Sequence, residues 1–176
     1  SMVIVAAVST GHTLTKVVDD FVKDYKAEDA EFVTYQPLSD ADMEKLEQEY
    51  DVILEHSRYK DVNVESGDLK GATIRVFPMP EKLNLCEVRD GHEPGDGEAL
   101  LTQDFADMHD IRVGDTISLG AYAYKVSAYT TKADYIYMLE KLSGYIDSEK
   151  FALVVVNRKE YDNIDADETS YYSIKY

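Results

Sequence analysis

The stretch from Glu98 to Tyr137 constrains the fold of this chain more than any other. Thr102 stands at a helix N-cap position, and the apolar residues after it recur at helical spacing, which predicts a short helix. A turn at Val113–Asp115 follows, and then two strands, Thr116–Leu119 and Tyr122–Tyr129, which together predict a hairpin. We expect the hydroxyl of Thr102 to accept one of the free backbone N–H groups of the helix. A helix that leads through a glycine-aspartate turn into a hairpin is a structural unit without a catalytic motif.

Several short motifs occur in a fixed order within and before this stretch. They are Asn84-Leu85, G-H-E-P at Gly91–Pro94, E-A-L-L at Glu98–Leu101, R-V-G-D-T-I at Arg112–Ile117, Y-K-V at Tyr124–Val126, and Asp134-Tyr135. In this order the motifs resemble the extracytoplasmic domain of FtsX-like (MacB-like) ABC transporter permeases. Two departures from the family pattern are His92 in place of a basic residue and Lys82-Leu83 in place of an isoleucine.

This resemblance implies a mixed α/β base subdomain that carries a small inserted β-rich subdomain, as in a MacB-like periplasmic core. On this chain the base comprises residues 1–78 plus 135–176 and the insertion comprises residues 79–134. The resemblance also implies a non-catalytic domain at the extracytoplasmic face of the cell membrane, which couples ATPase-driven movement of membrane helices to an extracellular substrate or partner. The implied partners are the protein's own transmembrane helices, a cytoplasmic ATPase subunit, a second permease copy, and an extracellular peptide, lipid or protein.

Hydrophobic spacing outside the central stretch supports an α+β class by itself. The first part of the chain alternates strands with amphipathic helices, whereas the middle is rich in strands. The run Phe151–Val156 is apolar on both faces, which predicts an interior strand. The other predicted strands are Val3–Val8, Phe32–Tyr35, Asp51–Glu55, Val62–Val64, Thr73–Phe77, Asn84–Arg89 and Tyr171–Tyr176; the predicted helices are Leu14–Tyr25, one that begins after Ser39, a turn at Met138–Leu142, and Arg158–Asn163.

Composition excludes some functions. The formal net charge of −17 disfavours nucleic-acid binding, because an acidic surface repels phosphates. The single cysteine, Cys86, excludes an intramolecular disulfide and is expected to be a buried, inert thiol. No apolar run reaches the roughly 20 residues of a membrane span.

The N-terminal segment Ser9–Thr13 leaves three interpretations open. It caps the first helix, or the run Val3–Val8 before it is the tail of a preceding transmembrane helix that runs straight on, or it resembles the T-G-x-T phosphate loop of flavodoxins. Small hydroxyl residues and a glycine at a helix N-terminus suit an anion. The third interpretation gives the alternative function, a flavodoxin-like electron carrier that binds FMN, and it requires a doubly wound parallel sheet.

The sequence offers no other chemistry. The acidic loop Asp90–Glu98 lacks the spacing of a calcium-binding EF-hand, and the histidines have no i, i+4 pairing for zinc. The chain contains neither G-x-S-x-G nor the P-loop lysine motif. We therefore predict no enzyme activity, no metal and no cofactor. A secreted interaction module without a transporter is a third hypothesis.

Tyrosine is unusually frequent, with 14 tyrosines and no tryptophan. Core and cross-strand packing is one interpretation, and a partner-binding surface is the other, because tyrosine offers a large amphipathic area. By strand alternation Tyr122, Tyr124, Val126 and Ala128 share one face and Tyr129 points to the other. The candidate partner-binding residues are Tyr122, Tyr124, Tyr129, Tyr135 and Tyr137.

Overall fold

The computed structural model describes residue 16, residues 18–135 and residues 147–176. The predicted strand Val3–Val8, the loop Ser9–Thr13, Tyr137 and the predicted turn Met138–Leu142 lie outside these ranges. Residues 18–24, within the predicted first helix, are helical. The remaining elements are β1 Ala30–Phe32, α1 Asp40–Tyr50, β2 Ile53–Asn63, β3 Thr73–Pro78, β4 Cys86–Arg89, β5 Glu98–Thr102, α2 Gln103–Met108, β6 Thr116–Leu119, β7 Tyr122–Lys132, β8 Phe151–Val156, α3 Arg158–Asn163 and β9 Glu168–Lys175.

In the part of the chain that the structure describes, nine strands form one mixed sheet. Its order is β1-β9-β2-β3-β8-β5-β7-β4, and β6 also pairs with β7. The β3–β8 and β5–β7 pairs are parallel, whereas the other pairs are antiparallel. Helices and a mixed sheet in one domain confirm the predicted α+β class. The specific MacB-like arrangement stays a prediction.

The sheet continues from the predicted base into the predicted insertion. Strand β5 pairs with β8 through Leu100 opposite Val155 and Leu101 opposite Val154. One buried cluster also combines side chains of β3 and β8 with those of β5, β6 and β7. The division into residues 1–78 plus 135–176 and residues 79–134 stays a prediction, but the described parts of both share a sheet and a core.

The sheet buries apolar side chains on both faces. On one face, which α2 and α3 cover, Ala152, Val154 and Val156 of β8 join the larger cluster, which includes Phe105 and Tyr161. On the opposite face, Phe151, Leu153 and Val155 pack with Phe77, Cys86, Leu100 and Ala128. The prediction that Phe151–Val156 is an interior strand is confirmed.

A β-bulge in β7 reverses the predicted orientation of two residues. Ala99 pairs with Val126, but Leu100 pairs with Ala128, so Ser127 is an extra residue on β7. An extra residue shifts the alternation by one position. Tyr129 therefore packs against the same cluster as Tyr124 and Val126, while Ala128 lies on the opposite face. The expectation that Tyr129 points away from Tyr124 was wrong for this reason.

The helix starts agree with the sequence to different degrees. Ser39 caps α1 in a capping box with Asp42, as its position before the helix predicts. Thr102 is the N-cap residue of α2, but its side chain makes no cap hydrogen bond. Its hydroxyl instead accepts the backbone N–H of Leu153 at 3.2 Å, because Thr102 also ends β5 beside β8. The predicted capping hydrogen bond of Thr102 was therefore wrong.

Candidate functional site

The motifs that carry the family resemblance contact one another around β5 and β7. The carboxylate of Glu98 accepts the N–H of Gly95 at 3.1 Å and lies 3.0 Å from His92 Nε2. The hydrogen bond from Gly95, followed by that with His92, lowers the pKa of Glu98. Gly91 lies so close to β7 that a Cβ atom there would be 1.9 Å from the carbonyl oxygen of Ser127. The loop before β5 is thus fixed to the bulge of β7.

The turn within R-V-G-D-T-I joins β6 to β7 through the backbone. Arg112 donates its N–H to the carboxylate of Asp115 at 2.8 Å, and Asp115 donates its N–H to the carbonyl of Arg112 at 2.9 Å. Gly114 has a φ of +100°, a conformation that only glycine adopts without strain. Hydrogen bonds of 2.8 Å join Gly114 N–H to Val126 and Val126 N–H to Asp115. The glycine and the aspartate of this motif both have structural roles.

Asn84, from the upstream motif, links three parts of the chain. It is 1% exposed and has a φ of 51°. Its side-chain oxygen accepts the N–H of Glu28 at 2.9 Å, and its amide nitrogen donates to the Glu28 carboxylate and to the Ser173 hydroxyl. Burial raises the pKa of Glu28 despite these hydrogen bonds. Asn84 thereby holds the segment before β1 against the loop before β4 and against β9.

Two ion pairs lie under the aromatic side chains of the opposite face. Lys132 Nζ lies 2.7 Å from Asp134 Oδ2, with side chains only 4% and 9% exposed. The other carboxylate oxygen of Asp134 has no hydrogen-bond partner among the described residues. Arg75 forms a bidentate pair with Asp61, both hydrogen bonds being 2.8 Å. Tyr135 connects the two ion pairs. It follows Asp134 in the sequence, and its hydroxyl accepts a hydrogen bond of 3.0 Å from the Arg75 guanidinium.

Aromatic rings complete the environment of both cations. The Arg75 guanidinium lies 3.9 Å from the ring centroid of Tyr59, and Lys132 Nζ lies 4.7 Å from that of Phe77. Burial lowers the pKa of Arg75, but its hydrogen bonds with Asp61 and Tyr135 outweigh this effect and the pKa is raised. Burial raises the pKa of Tyr135. These shifts favour the charged guanidinium of Arg75 and the neutral hydroxyl of Tyr135.

Cys86 lies opposite Lys132 in the β4–β7 pair. Burial raises the pKa of its thiol to about 12, although Lys132 lowers it in part. A reactive cysteine needs a lowered pKa and an exposed thiol. Cys86 therefore belongs to the core, as the sequence predicts, and is not a nucleophile.

Four of the five candidate tyrosines lie in the described residues, and each has a packing contact. Tyr124 is 2% exposed, and burial raises its pKa to about 12. The hydroxyl of Tyr122 accepts the N–H of Asp165 at 2.6 Å, and that of Tyr129 donates to the carbonyl of Ile111 at 3.0 Å. Tyr135 packs on Phe77 and binds Arg75. Tyr137 lies outside the described residues, and a role of this set in partner binding stays a prediction.

A cleft of about 250 Å³, here called the Lys132 cleft, opens beside the buried ion pair. It lies between the junction of β5 and α2, the end of β7, and the segment that leads into β8. Most of the surface of its described wall is apolar, although many of the lining residues are polar. Its described lining consists of Arg89, Thr102, Gln103, Asp104, Phe105, Thr130, Thr131, Lys132, Tyr135, Ser148, Phe151 and Leu153.

The roles of Arg75 and Lys132, and the cleft, were not predicted from the sequence. Both cations occur in strand-like runs, where a charged residue normally faces solvent. The available signal was a nearby acid, which lies two residues away for Lys132 and on the paired strand for Arg75. Asp61, opposite Arg75 on β2, and Asp134 supply those acids.

Neither the described structure nor comparison with known proteins identifies a family for this chain. The described residues contain no group of three or more histidine, cysteine, aspartate or glutamate side chains placed to hold a metal ion. No helix among them is long and apolar enough to cross a membrane. Comparison of the chain with protein-family models, with curated proteins and with solved structures finds no match.

Proposed function

We propose that this chain is a non-catalytic extracytoplasmic domain of an FtsX-like ABC transporter permease. In this role the domain couples the movement of membrane helices, driven by a cytoplasmic ATPase subunit, to the handling of an extracellular peptide, lipid or protein. The full protein would lie in the cell membrane with this domain on the extracytoplasmic face, and a second permease copy would complete the transporter.

The observation that carries this proposal is the contact between the motifs that resemble the family. The G-H-E-P loop meets E-A-L-L through Glu98, and R-V-G-D-T-I meets Y-K-V through the backbone of Val126. The aspartate and tyrosine of the last motif bind Lys132 and Arg75. These contacts place the motifs in one part of the sheet, which supports a common fold with the family.

A coupling domain must transmit a displacement without deforming, and the described structure is suited to this. The mixed sheet is continuous from β1 to β4. The Lys132–Phe77 contact and the pairing of β5 with β8 join the predicted insertion and base. Dense packing of such contacts transmits strain through a protein interior.

The FMN-binding alternative has less support. Flavodoxins use a doubly wound parallel sheet. Among the described strands, only β3–β8 and β5–β7 are parallel pairs. The Ser9–Thr13 loop lies outside the described residues. A purified chain without visible absorbance would argue against this alternative.

Cysteine labelling tests the location of the domain. Tyr35 is fully exposed, at 109% of its reference area, whereas Cys86 is buried. We expect the full-length protein with Tyr35→Cys to react with a membrane-impermeant maleimide in intact cells, and the unsubstituted protein to serve as the matched control. Reaction of Tyr35→Cys only after lysis would overturn the proposal.

Fractionation separates the permease from a secreted module. We expect the full-length protein to remain in the membrane pellet after an alkaline wash and to copurify with an ATPase subunit from solubilised membranes. Release of the labelled protein into the medium would support the secreted interaction module instead. Retention in the membrane without any ATPase subunit would refute the coupling role.

A further inference from the structure

We infer that residues 18–28, here called the arm, open from the sheet as a separate unit, and that the Asn84-Leu85 segment is the latch that holds the arm closed. The arm contains the helix of residues 18–24. The inference does not depend on the proposed function, because it uses only contacts among the described residues. The latch is also the first of the sequence motifs along the chain.

The helix of the arm has its own C-terminal cap. Ala27 donates its N–H to the carbonyl of Val22 at 2.9 Å. Lys26, which has a φ of 49°, donates its N–H to the carbonyl of Lys23 at 3.2 Å. This pair of hydrogen bonds, with a left-handed residue after the helix, is a Schellman motif. The helix therefore ends without help from the sheet and stays capped when the arm opens.

The latch binds carbonyl groups that the cap leaves without a partner. Leu85 donates its N–H to the carbonyl of Tyr25 at 2.8 Å. Asn84 donates its N–H to the carbonyl of Lys26 at 3.0 Å. Carbonyl groups at a helix C-terminus have no partner within the helix, so the latch supplies donors that the arm lacks. The Tyr25 side chain also lies near β4, because burial and then the Glu87 carboxylate raise its pKa.

The Asn84 side chain strengthens the latch. Its oxygen accepts the N–H of Glu28 at 2.9 Å, and its nitrogen donates to the Glu28 carboxylate at 2.9 Å. The same nitrogen donates to the Ser173 hydroxyl of β9 at 3.2 Å, which ties the latch to the sheet. Lys175 of β9 adds a further donor, since its ammonium lies 2.8 Å from the carbonyl of Ala27. All these hydrogen bonds lie at the C-terminal end of the arm, which is therefore held at that end.

The arm itself has little buried surface. Among residues 18–28 only Ala27 is buried. The rings of Phe21 and Tyr25 have centroids 4.4 Å apart, a contact within the arm that opening does not break. Strand β8, by contrast, is buried from Ala152 to Val156. Segments with few buried apolar contacts open at a lower free energy than the core, so the arm should open while the sheet stays folded.

Hydrogen exchange of the 176-residue chain, followed by mass spectrometry at a series of low urea concentrations, tests the separate unit. We expect the amides of residues 22–26 to exchange at least about tenfold faster than those of β8. Their exchange should also depend little on urea, because opening of the arm exposes little surface. Equal rates and equal urea dependence in the two segments would mean that the arm leaves the sheet only in global unfolding, which would disprove the inference.

Substitution of Asn84 tests the latch. Asn84→Gly allows the φ of 51° without strain but removes three side-chain hydrogen bonds, so exchange at residues 22–26 should become about tenfold faster. The control is Asn63→Gly, which removes a hydrogen bond with Thr73 at the end of β2 and should leave these rates unchanged. Should Asn84→Gly fail to fold, Lys175→Met removes the donor to Ala27 and should give a smaller rise. Unchanged exchange of the arm in the folded variant would refute the latch.

Discussion

Removal of the Lys132 ammonium should destabilise the fold strongly. Lys132 and Asp134 are buried as a pair, and Asp134 already has one carboxylate oxygen without a hydrogen-bond partner among the described residues. In Lys132→Met the apolar stem is kept, but the Asp134 carboxylate stays buried without its cation. Breaking a buried ion pair in this way costs about 3–5 kcal/mol of the free energy of unfolding.

The double substitution separates the cost of an isolated charge from the value of the pair. Lys132→Met combined with Asp134→Leu removes both charges, and such replacements range from neutral to stabilising by about 1–4 kcal/mol. The two single substitutions should therefore be strongly non-additive, with a coupling energy of about 3 kcal/mol. The rings of Phe77 and Tyr135 would then pack against apolar side chains instead of an ammonium.

Urea unfolding, followed by tyrosine fluorescence and circular dichroism, measures these effects. For a slope of about 2 kcal/mol per molar urea, the midpoint of Lys132→Met should fall by about 2 M, and that of the double variant should recover. Lys125→Met, the exposed control on β7, should change the free energy of unfolding by less than about 0.5 kcal/mol. A cost below about 1 kcal/mol for Lys132→Met, or additive single effects, would refute the reasoning that the pair is desolvated.

Three further predictions concern other parts of the fold. Glu55→Gln should lower the free energy of unfolding by about 2 kcal/mol in a urea titration, because the Glu55 carboxylate accepts the N–H groups of Glu81, Lys82 and Leu83. Glu31→Gln, at an exposed position of β1, is the control, and an equal effect of the two substitutions would contradict this prediction. Gly91→Ala should lower the free energy of unfolding by about 1–3 kcal/mol, because the added Cβ atom would clash with the Ser127 carbonyl. Gly95→Ala should lower it less, because a Cβ atom there meets only the Glu98 side chain, and the opposite order would be inconsistent with the close approach of Gly91 to β7. The free energy of unfolding should fall as the pH rises from 9 towards 12. Burial raises the pKa of the Cys86 thiol from 9.0 to about 12, so the folded state favours the protonated thiol. Cys86→Ala should make the first part of this decline less steep, and an unchanged slope would contradict the prediction.

The sequence predicted those parts of the fold in which side-chain pattern and burial agree. Phe151–Val156 was recognisable because a strand buried on both faces is apolar throughout. The start of α1 after Ser39 was recognisable because an N-cap residue and the helix that it begins are neighbours in sequence. Both features depend on neighbouring residues, so they need no knowledge of distant partners.

The sequence did not reveal features that depend on pairing between distant strands. Strand β2 runs from Ile53 to Asn63, but its polar middle separated it into two predicted strands. In this polar middle, the side chains of His56 and Ser57 form hydrogen bonds with those of Ser170 and Ser173 of β9. The extra residue Ser127 has no local signature, since a bulge is defined by the partner strand. The buried position of Lys132 likewise depends on Phe77, which lies on the distant strand β3.

The parallel pairing of β3 with β8 also determines how this chain reaches its final form. Six residue pairs, from Thr73 with Phe151 to Pro78 with Val156, join segments that are 78 residues apart in the sequence. Synthesis delivers β3 before β8, so one edge of β3 lacks its native neighbour until β8 has been made. Pairing at such separation is slow and leaves apolar strands open to association. The nascent chain is therefore open to association through this edge of β3 until β8 pairs with it.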